Sequence, residues 1–445
     1  MGLELDRLVP APPGWSLPPY AAERRMRPAP RPLAERMAFW GVPGLSVALV
    51  DGGRVVATEA FGLADAASGR PVTPDTLFQA ASISKPVTAL GVLRLVAEGR
   101  LDLDADVAGY LPSWELRAAL PGGGWRPRVT LRQLLSHTAG TTVHGFPGYQ
   151  RAAPLPSLLQ VLDGLAPANT APVRVDTMPG VQFRYSGGGT SVVQLVMQEV
   201  TGEPFAELMR RLVLGPLGME RSAYGVPVDA GAAAHGHRTG GAPVAGGWHV
   251  YPELAAAALW TTAEDLTRVI SGFQGCLRGE AGALLPQALA IDAARPQPGS
   301  GFGLGWEITG KIFRHTGGNE GFRCVLTGWM DAPRGVVAMT NGDDGDGLWP
   351  EVLATLAAAR GWEGSGVAPA PAGVPGRYAL REDFVFEVEA REGGLWVRAG
   401  EQAACPLEPD GAGGWAAVPL AAGFTFEDDG LVFRQNGQEL PARRV

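Results

Sequence analysis

The hydrophobic period of this 445-residue chain changes along its length, and that change constrains the fold more than any other feature. Helices repeat their apolar residues every 3.6 positions and half-buried strands every 2, so a segment written in one period sits poorly in the other. From Gly44, the run Leu45 to Val50, the turn Asp51-Gly52-Gly53 and the run Arg54 to Ala60 read as a β-hairpin. After Ser82 the period becomes helical: Val87, Leu90, Leu93 and Val96 share a face, and Gly99 stands where a helix would end. Helical patterns recur at Leu131 to Ser136, Leu155 to Leu162, Ser191 to Leu214 and Thr262 to Phe273. β-like runs return at Phe302 to Ile308, Lys311 to His315, Gly321 to Trp329 and Gly335 to Thr340, before a helix from about Pro350 to Arg360. Strands on both sides of a helical middle predict one sheet in an α+β layer, with a mostly helical insertion over about residues 100–250.

Beyond residue 375 the period is 2. Phe384 to Glu389, Leu395 to Arg398, Trp415 to Pro419, Phe424 to Glu427 and Leu431 to Arg434 read as short strands, with turns at Gly393-Gly394 and Asp429-Gly430. They predict a small antiparallel β-barrel-like domain over residues 376–445, behind a linker from Glu363 to Pro375. Residues 1–38 form a Pro/Arg-rich N-terminal extension, and 39–362 the main domain. Gly and Pro, 63 and 38 residues, approach the roughly 25–30% that suggests disorder, but the apolar runs between them argue for a loop-rich folded chain.

A net charge of −8 makes nucleic acid a poor partner. Every apolar stretch stops short of the roughly 18 residues of a membrane span, and the first 40 residues carry acids and prolines in place of an apolar signal core. The expected location is therefore the cytoplasm. Cys276, Cys324 and Cys405 are too widely spaced for a disulfide framework or a zinc motif.

Of the 37 basic residues, 35 are arginine and only Lys85 and Lys311 are lysine. An ammonium can lose its proton when buried and a guanidinium cannot, so each lysine raises the question of what its amine does. Ser82-Ile83-Ser84-Lys85 opens the first long helix, and positions i and i+3 share a helix face, so the Ser82 hydroxyl and the Lys85 amine can meet. A lysine with a lowered pKa is a base for a nucleophilic serine. An N-cap serine beside a solvated lysine would give the same four letters.

Two further motifs follow in order. Arg184-Tyr185-Ser186-Gly187-Gly188-Gly189 puts a tyrosine in a glycine-rich turn before a helix, and His315-Thr316-Gly317-Gly318 follows an apolar strand where small residues admit a substrate backbone. Together the three resemble the signature elements of the serine β-lactamase and penicillin-binding-protein superfamily. The chain is similar to class C β-lactamase-related serine hydrolases over about residues 40 to 360, a family that also contains class VIII esterases, D-aminopeptidases, D-amino-acid amidases and peptide-cyclising thioesterases. The resemblance includes Pro74-Asp75-Thr76-Leu77-Phe78, Leu134-Leu135-Ser136-His137-Thr138-Ala139-Gly140 and Leu259-Trp260-Thr261-Thr262-Ala263-Glu264-Asp265-Leu266.

The resemblance implies an antiparallel sheet flanked by helices, Ser82 as nucleophile, Lys85 as base and Tyr185 as proton relay. It implies His315 in place of the lysine of Lys-Thr-Gly, and an oxyanion hole made by the backbone N–H groups of Ser82 and Gly318. Gly187 stands where many relatives carry the asparagine of Tyr-x-Asn, and Thr316 and Gly317 would border the substrate. Without that amide and that lysine, non-β-lactam esters or small amides are the expected substrates, with no cofactor and no metal. D-stereospecific aminopeptidases or amidases and β-lactamases or DD-peptidases are rivals within the family. A non-catalytic acyl-binding or scaffold protein of the same fold is the rival outside it, and the intact Ser82, Lys85, Tyr185 and His315 speak against it.

Other signals are weaker. His235-Gly236-His237 and His249 lack accompanying carboxylates or cysteines and read as a polar loop, and Asn341 to Gly347 lacks the EF-hand order and reads as a turn. Gly299, Gly301, Gly303 and Gly305 suit a strand beside a cleft, and Ser136-His137, being adjacent in the chain, is no half of a triad. The C-terminal domain reads as a lid, a spacer or a homodimer contact, and Lys311 has no assignable role.

Overall fold

A computed structural model of the chain describes residues 3–9, 31–119, 126–362, 374–381, 384–391, 394–400, 404–409, 415–417, 422–427, 430–435 and 438–445. Residues 10–30 of the N-terminal extension, residues 363–373 of the linker, and the turn residues Gly393 and Asp429 lie outside the described residues. Contacts divide the chain into two units, Met1–Leu3 with Met37–Gly345 and Glu4–Arg36 with Asp346–Val445. Residues 346–362, assigned from the sequence to the main domain, group with the second unit.

The first unit opens with the expected hairpin, β1 (Gly44–Asp51) and β2 (Arg54–Asp65), followed by β3 (Arg70–Pro71) and β4 (Phe78–Ala81). Helix α1 (Ser84–Ala97) comes next, and Gly99 beyond it takes a φ of 71°. The helical middle contains α2 (Leu131–Leu135) and α3 (Gly187–Thr201). After it come β5 (Ala223–Tyr224), α4 (Leu254–Ala257), β6 (Leu259–Thr261), α5 (Ala263–Arg278), β7 (Glu307–Thr309), β8 (Ile312–Asn319), β9 (Phe322–Trp329) and β10 (Gly335–Thr340).

Strands from both sides of the helical middle form one seven-stranded antiparallel sheet in the order β7-β8-β9-β10-β1-β2-β3. Against it α5 buries Leu266, Val269, Ile270 and Phe273. That helix starts where Thr262 accepts a hydrogen bond from the Asp265 N–H, and it stops at Gly279, whose φ is 68°. A smaller sheet, β4-β6-β5, carries the strand that leads into Ser82.

Two expectations are corrected. The helical pattern from Ser191 to Leu214 is not one helix: α3 ends at Thr201, Gly202 turns left-handed at φ 74°, and after Pro204 the chain restarts as a short helix (Phe205–Met209) and a π-turn (Arg210–Leu214). Pro204 has no N–H to continue the ladder. The run Phe302 to Ile308 is not a strand beside a cleft, since only its last two residues join β7. A Cβ at Gly303 would lie 2.0 Å from the Ala293 carbonyl oxygen, and one at Gly305 2.5 Å from Ala89 Cβ, so these glycines permit close packing of a loop.

All but the first residue of α6 (Gly345–Ala359) belongs to the second unit. After it, β11 (Gly376–Arg381), β12 (Phe384–Arg391), β13 (Gly394–Ala399), β14 (Cys405–Pro409), β15 (Trp415–Ala417), β16 (Ala422–Glu427), β17 (Gly430–Gln435) and β18 (Gln438–Arg444) close into an antiparallel barrel. Inward positions Tyr378, Phe386, Leu395, Val397 and Phe424 make its core. β11, β14 and β18 lack a clean alternation and were not singled out from the sequence. Among the described residues, no helix is long and apolar enough to cross a membrane.

The contact that fixes β8 against β4 leaves no room for a side chain. A Cβ at Gly317 would lie 2.2 Å from the Ala80 carbonyl oxygen and 2.4 Å from Cys324 Sγ. Gly317→Ala is therefore expected to destabilise the protein by about 2–3 kcal/mol and to lower the midpoint of thermal unfolding. A variant as stable as the parent would show that β8 can move away from β4 without cost.

Candidate active site

Ser82 sits between β4 and α1, in a turn that the surrounding chain holds tightly. Ala81 adopts a φ of 48°, a left-handed conformation that costs a non-glycine residue about 1–2 kcal/mol. The Ser84 hydroxyl donates to the Ala81 carbonyl at 2.5 Å and accepts from the Leu259 N–H at 3.0 Å, which ties the turn to β6. Tyr224 Oη donates to the Ser84 carbonyl at 2.9 Å.

One helical turn on, Lys85 Nζ lies 2.8 Å from Ser82 Oγ and 2.8 Å from the carbonyl oxygen of Ala256 in α4. Lys85 is buried, and burial lowers its pKa to about 7. At neutral pH much of the amine is thus unprotonated and able to accept the serine proton. Lys311 lies outside this site, 74% exposed and paired with Asp331 at 2.9 Å, a surface ion pair of small energetic weight.

Tyr185 comes from the segment entering α3. Ser186 caps that helix by accepting from the Gly189 N–H, and its own hydroxyl donates to the Thr142 carbonyl. The buried phenol is pushed to a higher pKa by desolvation, which its hydrogen bond with Ser82 partly offsets. Lys85 Nζ stands 5.0 Å from the centre of the Tyr185 ring.

His137, adjacent to Ser136 in the chain, packs its ring 4.3 Å from that of Tyr185, and its Nδ1 accepts from the Ser186 N–H at 3.2 Å. With a φ of 58°, it props Tyr185 from behind. Burial, reinforced by the Lys85 charge, holds its pKa well below the ordinary value.

His315 extends from β8 into the same cluster, 6.1 Å from Tyr185 between ring centres. Burial, then the Lys85 charge, lowers its pKa to about 4. Beside it Arg314 grips Glu307 through two hydrogen bonds of 2.9 and 2.7 Å. Further along β8, Asn319 Nδ2 donates to Gln79 Oε1 at 2.7 Å and to the Ala257 carbonyl at 3.0 Å, while Cys324 Sγ contacts the Ala80 carbonyl. These bonds hold the Thr316-Gly317-Gly318 stretch of β8 against β4, the strand that ends just before Ser82.

Gly187 is the first residue of α3, and a Cβ there would lie 2.9 Å from the Phe146 ring and 3.1 Å from the His144 carbonyl oxygen. Phe146, with Leu254, packs on a cluster of Tyr251, Ala256, Ala257 and Ala258. Gly187 is thus flanked by the Phe146 ring and by the His144 carbonyl, which accepts the Gly187 N–H at 2.9 Å. Phe146, Phe302 and the Ala256 carbonyl were not legible as site residues, because nothing local distinguishes them.

Other motifs take structural places. His237 Nδ1 lies 3.0 Å from the Asn341 carbonyl oxygen, and His249 Nδ1 lies 3.0 Å from that of Pro147. Asn341 Nδ2 donates to the carbonyls of Leu63, Ala64 and His235, bracing the turn before α6.

A beta-lactamase family model matches residues 33–359. Esterase EstB of Burkholderia gladioli is 32% identical over 293 residues, 57% of this chain and 71% of EstB. Protein flp of Staphylococcus aureus (strain N315) is 27% identical over 192 residues, and this match spans about a third of flp (35%) and 41% of this chain. Among solved structures, SurE with D-Leu superposes with a TM-score of 0.58 at 25% identity, covering 93% of this chain and 97% of that one. A class C beta lactamase from Rhodobacter sphaeroides gives a TM-score of 0.56 at 22% identity over 74% of this chain and 97% of its own, a likeness of fold alone.

Glu253, preceding α4, is fully buried, and neither carboxylate oxygen has a hydrogen-bond partner among the described residues. Burial raises its pKa from 4.5 to about 7, its own backbone N–H opposing the shift slightly. An acid whose pKa rises on folding favours the native state below its unfolded pKa and loses that advantage as pH climbs toward the folded value. Relative to Glu253→Gln, the native protein should lose about 3 kcal/mol between pH 4.5 and pH 8. Paired thermal unfolding at the two pH values measures this, and an unchanging gap would mean that folding leaves the pKa of this carboxyl where it is in the unfolded chain.

Proposed function

The chain belongs to the beta-lactamase family and is a serine hydrolase, and from that premise we propose that it cleaves esters of small molecules through an acyl-enzyme on Ser82. Unprotonated Lys85 takes the hydroxyl proton as Ser82 Oγ attacks the carbonyl carbon. The oxyanion is received by the backbone N–H groups of Ser82 and Gly318. When the tetrahedral centre collapses, the bond to the leaving oxygen breaks, and the proton held by Lys85 passes through Tyr185 to that oxygen. Water, or an amine, then enters by the reverse path: it gives its proton to Lys85 as it attacks the acyl carbon, and on collapse that proton returns to Ser82 Oγ as the bond to the serine breaks and the acyl group leaves.

The observation that carries this reading is the buried amine 2.8 Å from the serine hydroxyl with a pKa of about 7. The preference for esters is supported by glycine at position 187, which carries no side-chain amide to grip an acylamino group and stands against the Phe146 ring, and by the likeness to EstB, an esterase. A second reading, an acyl group ending in a D-amino acid, is favoured by SurE, whose structure contains D-Leu and aligns with nearly the whole chain.

Intact-mass spectrometry after fluorophosphonate treatment should show one adduct that is missing in Ser82→Ala. No adduct on the parent protein would remove Ser82 as nucleophile. Lys85→Arg should lose as much activity as Lys85→Ala, about a thousandfold, because the charge survives and the base does not. Substantial activity in the Arg variant would make Lys85 a mere counter-charge.

The pH profile gives a third check. The base acts unprotonated, so kcat/KM for an ester should rise through the Lys85 pKa of about 7 and at pH 6 be about one-tenth of its value above pH 8. His315, lowered to about 4, does not shape that limb. A profile flat from pH 5 to 8 would contradict the assignment.

A further inference from the structure

Aromatic rings run without a gap from the surface to the nucleophile. Phe183, 42% exposed, stacks on Phe302 with ring centres 5.2 Å apart and planes at 21°. Phe302 in turn stands 6.2 Å from Tyr185 and 5.9 Å from His315. The His137 ring packs nearly perpendicular to both phenylalanines, with centres 6.1 and 5.2 Å away, and braces the pair.

His315 supplies the polar atom of this wall. Its Nδ1 lies 2.6 Å from the Thr316 carbonyl oxygen, which can only accept, so Nδ1 carries the proton and Nε2 the lone pair. Nε2 is buried, and among the described residues nothing donates to it. With a pKa near 4 the ring carries no charge at neutral pH. A lysine at this position would present a cation to a carboxylate, whereas this histidine presents an acceptor, which a carboxylate cannot satisfy.

The role of Tyr185 decides which part of a substrate meets the wall. A phenol that hands a proton to the leaving atom must lie beside that atom, so the group attached to it extends along the rings beyond Tyr185. The acyl part then lies toward Gly187 and Phe146. We propose that Phe183, Phe302 and His315 form a leaving-group subsite for uncharged aromatic alcohols or amines, whose ring packs on the two phenylalanines and on which a further hydroxyl or N–H, other than the acylated one, donates to His315 Nε2. This subsite rests on the acyl-enzyme reading above and goes beyond it by naming the departing group.

The test holds the acyl group constant and varies the alcohol, using ethyl acetate, phenyl acetate, 3-hydroxyphenyl acetate and 4-carboxyphenyl acetate. Phe302→Ala should lower the ratio of kcat/KM for phenyl over ethyl acetate by about tenfold relative to the parent protein. His315→Lys should raise the ratio of 4-carboxyphenyl over phenyl acetate by about tenfold and erase any advantage of the 3-hydroxyl. Ratios within twofold of the parent in both variants would overturn the subsite. Fluorophosphonate labelling separates the two levels: no adduct on the parent protein overturns the acyl-enzyme reading, while full labelling with unmoved ratios overturns only the subsite. Should Phe302→Ala fail to label through misfolding, Phe302→Leu, which keeps apolar bulk but not the ring, carries the same comparison.

Discussion

The removal of one ammonium group from water is the constraint on which the rest of this structure depends. Lys85 is enclosed by α1, α4 and the segment that delivers Tyr185, and among the described residues its amine meets a serine hydroxyl and a backbone carbonyl at hydrogen-bonding distance. Burial by itself lowers the pKa to about 7; a carboxylate partner would have pushed it back up. Glu307, near enough to act on Tyr185 and His315, is neutralised by its two-point grip on Arg314. The polar atoms of the site are therefore arranged to hold the lysine without recharging it, which is why an arginine-rich sequence keeps a lysine here.

The same economy of space explains the backbone around it. The left-handed Ala81 and the turn fastened by Ser84 set the chain around Ser82, and the glycine at 317 lets β8 lie directly against β4. Apart from the Ser84 bond to Ala81, the contacts that tie this turn and its surroundings together join residues some 170 to 245 positions apart: Lys85 to the Ala256 carbonyl, Ser84 to the Leu259 N–H and Cys324 to the Ala80 carbonyl.

That distance in sequence accounts for what could be read beforehand. The Ser82 and Lys85 pair was legible because helical geometry links positions three apart. The hairpin, α1, α5 and much of the barrel followed from clean periods. Helices broke where one glycine and one proline, Gly202 and Pro204, outweighed an apolar pattern that continued past them. The strand expected at 302–306 failed because its glycines answer to α1 and to the chain near Ala293, neighbours that periodicity does not register. His137 was quoted within a motif and read as structural, but its stacking beneath Tyr185 depends on a fold that brings residues 137 and 185 together. Phe146 and Phe302 gave no signal, since an aromatic residue in a loop looks the same whether it faces substrate or core.

The barrel of the second unit has a property that follows from closure. Its first and last strands pair with each other, so among the described residues the sheet has no free edge strand of the kind that recruits an extended peptide or a second copy by strand addition. Among the described residues its interior is filled by Tyr378, Phe386, Phe424 and the aliphatic residues packed with them, as in narrow barrels whose side chains occupy the inside. A molecule recognised by this unit through its described strands would therefore be read by their outward-facing side chains.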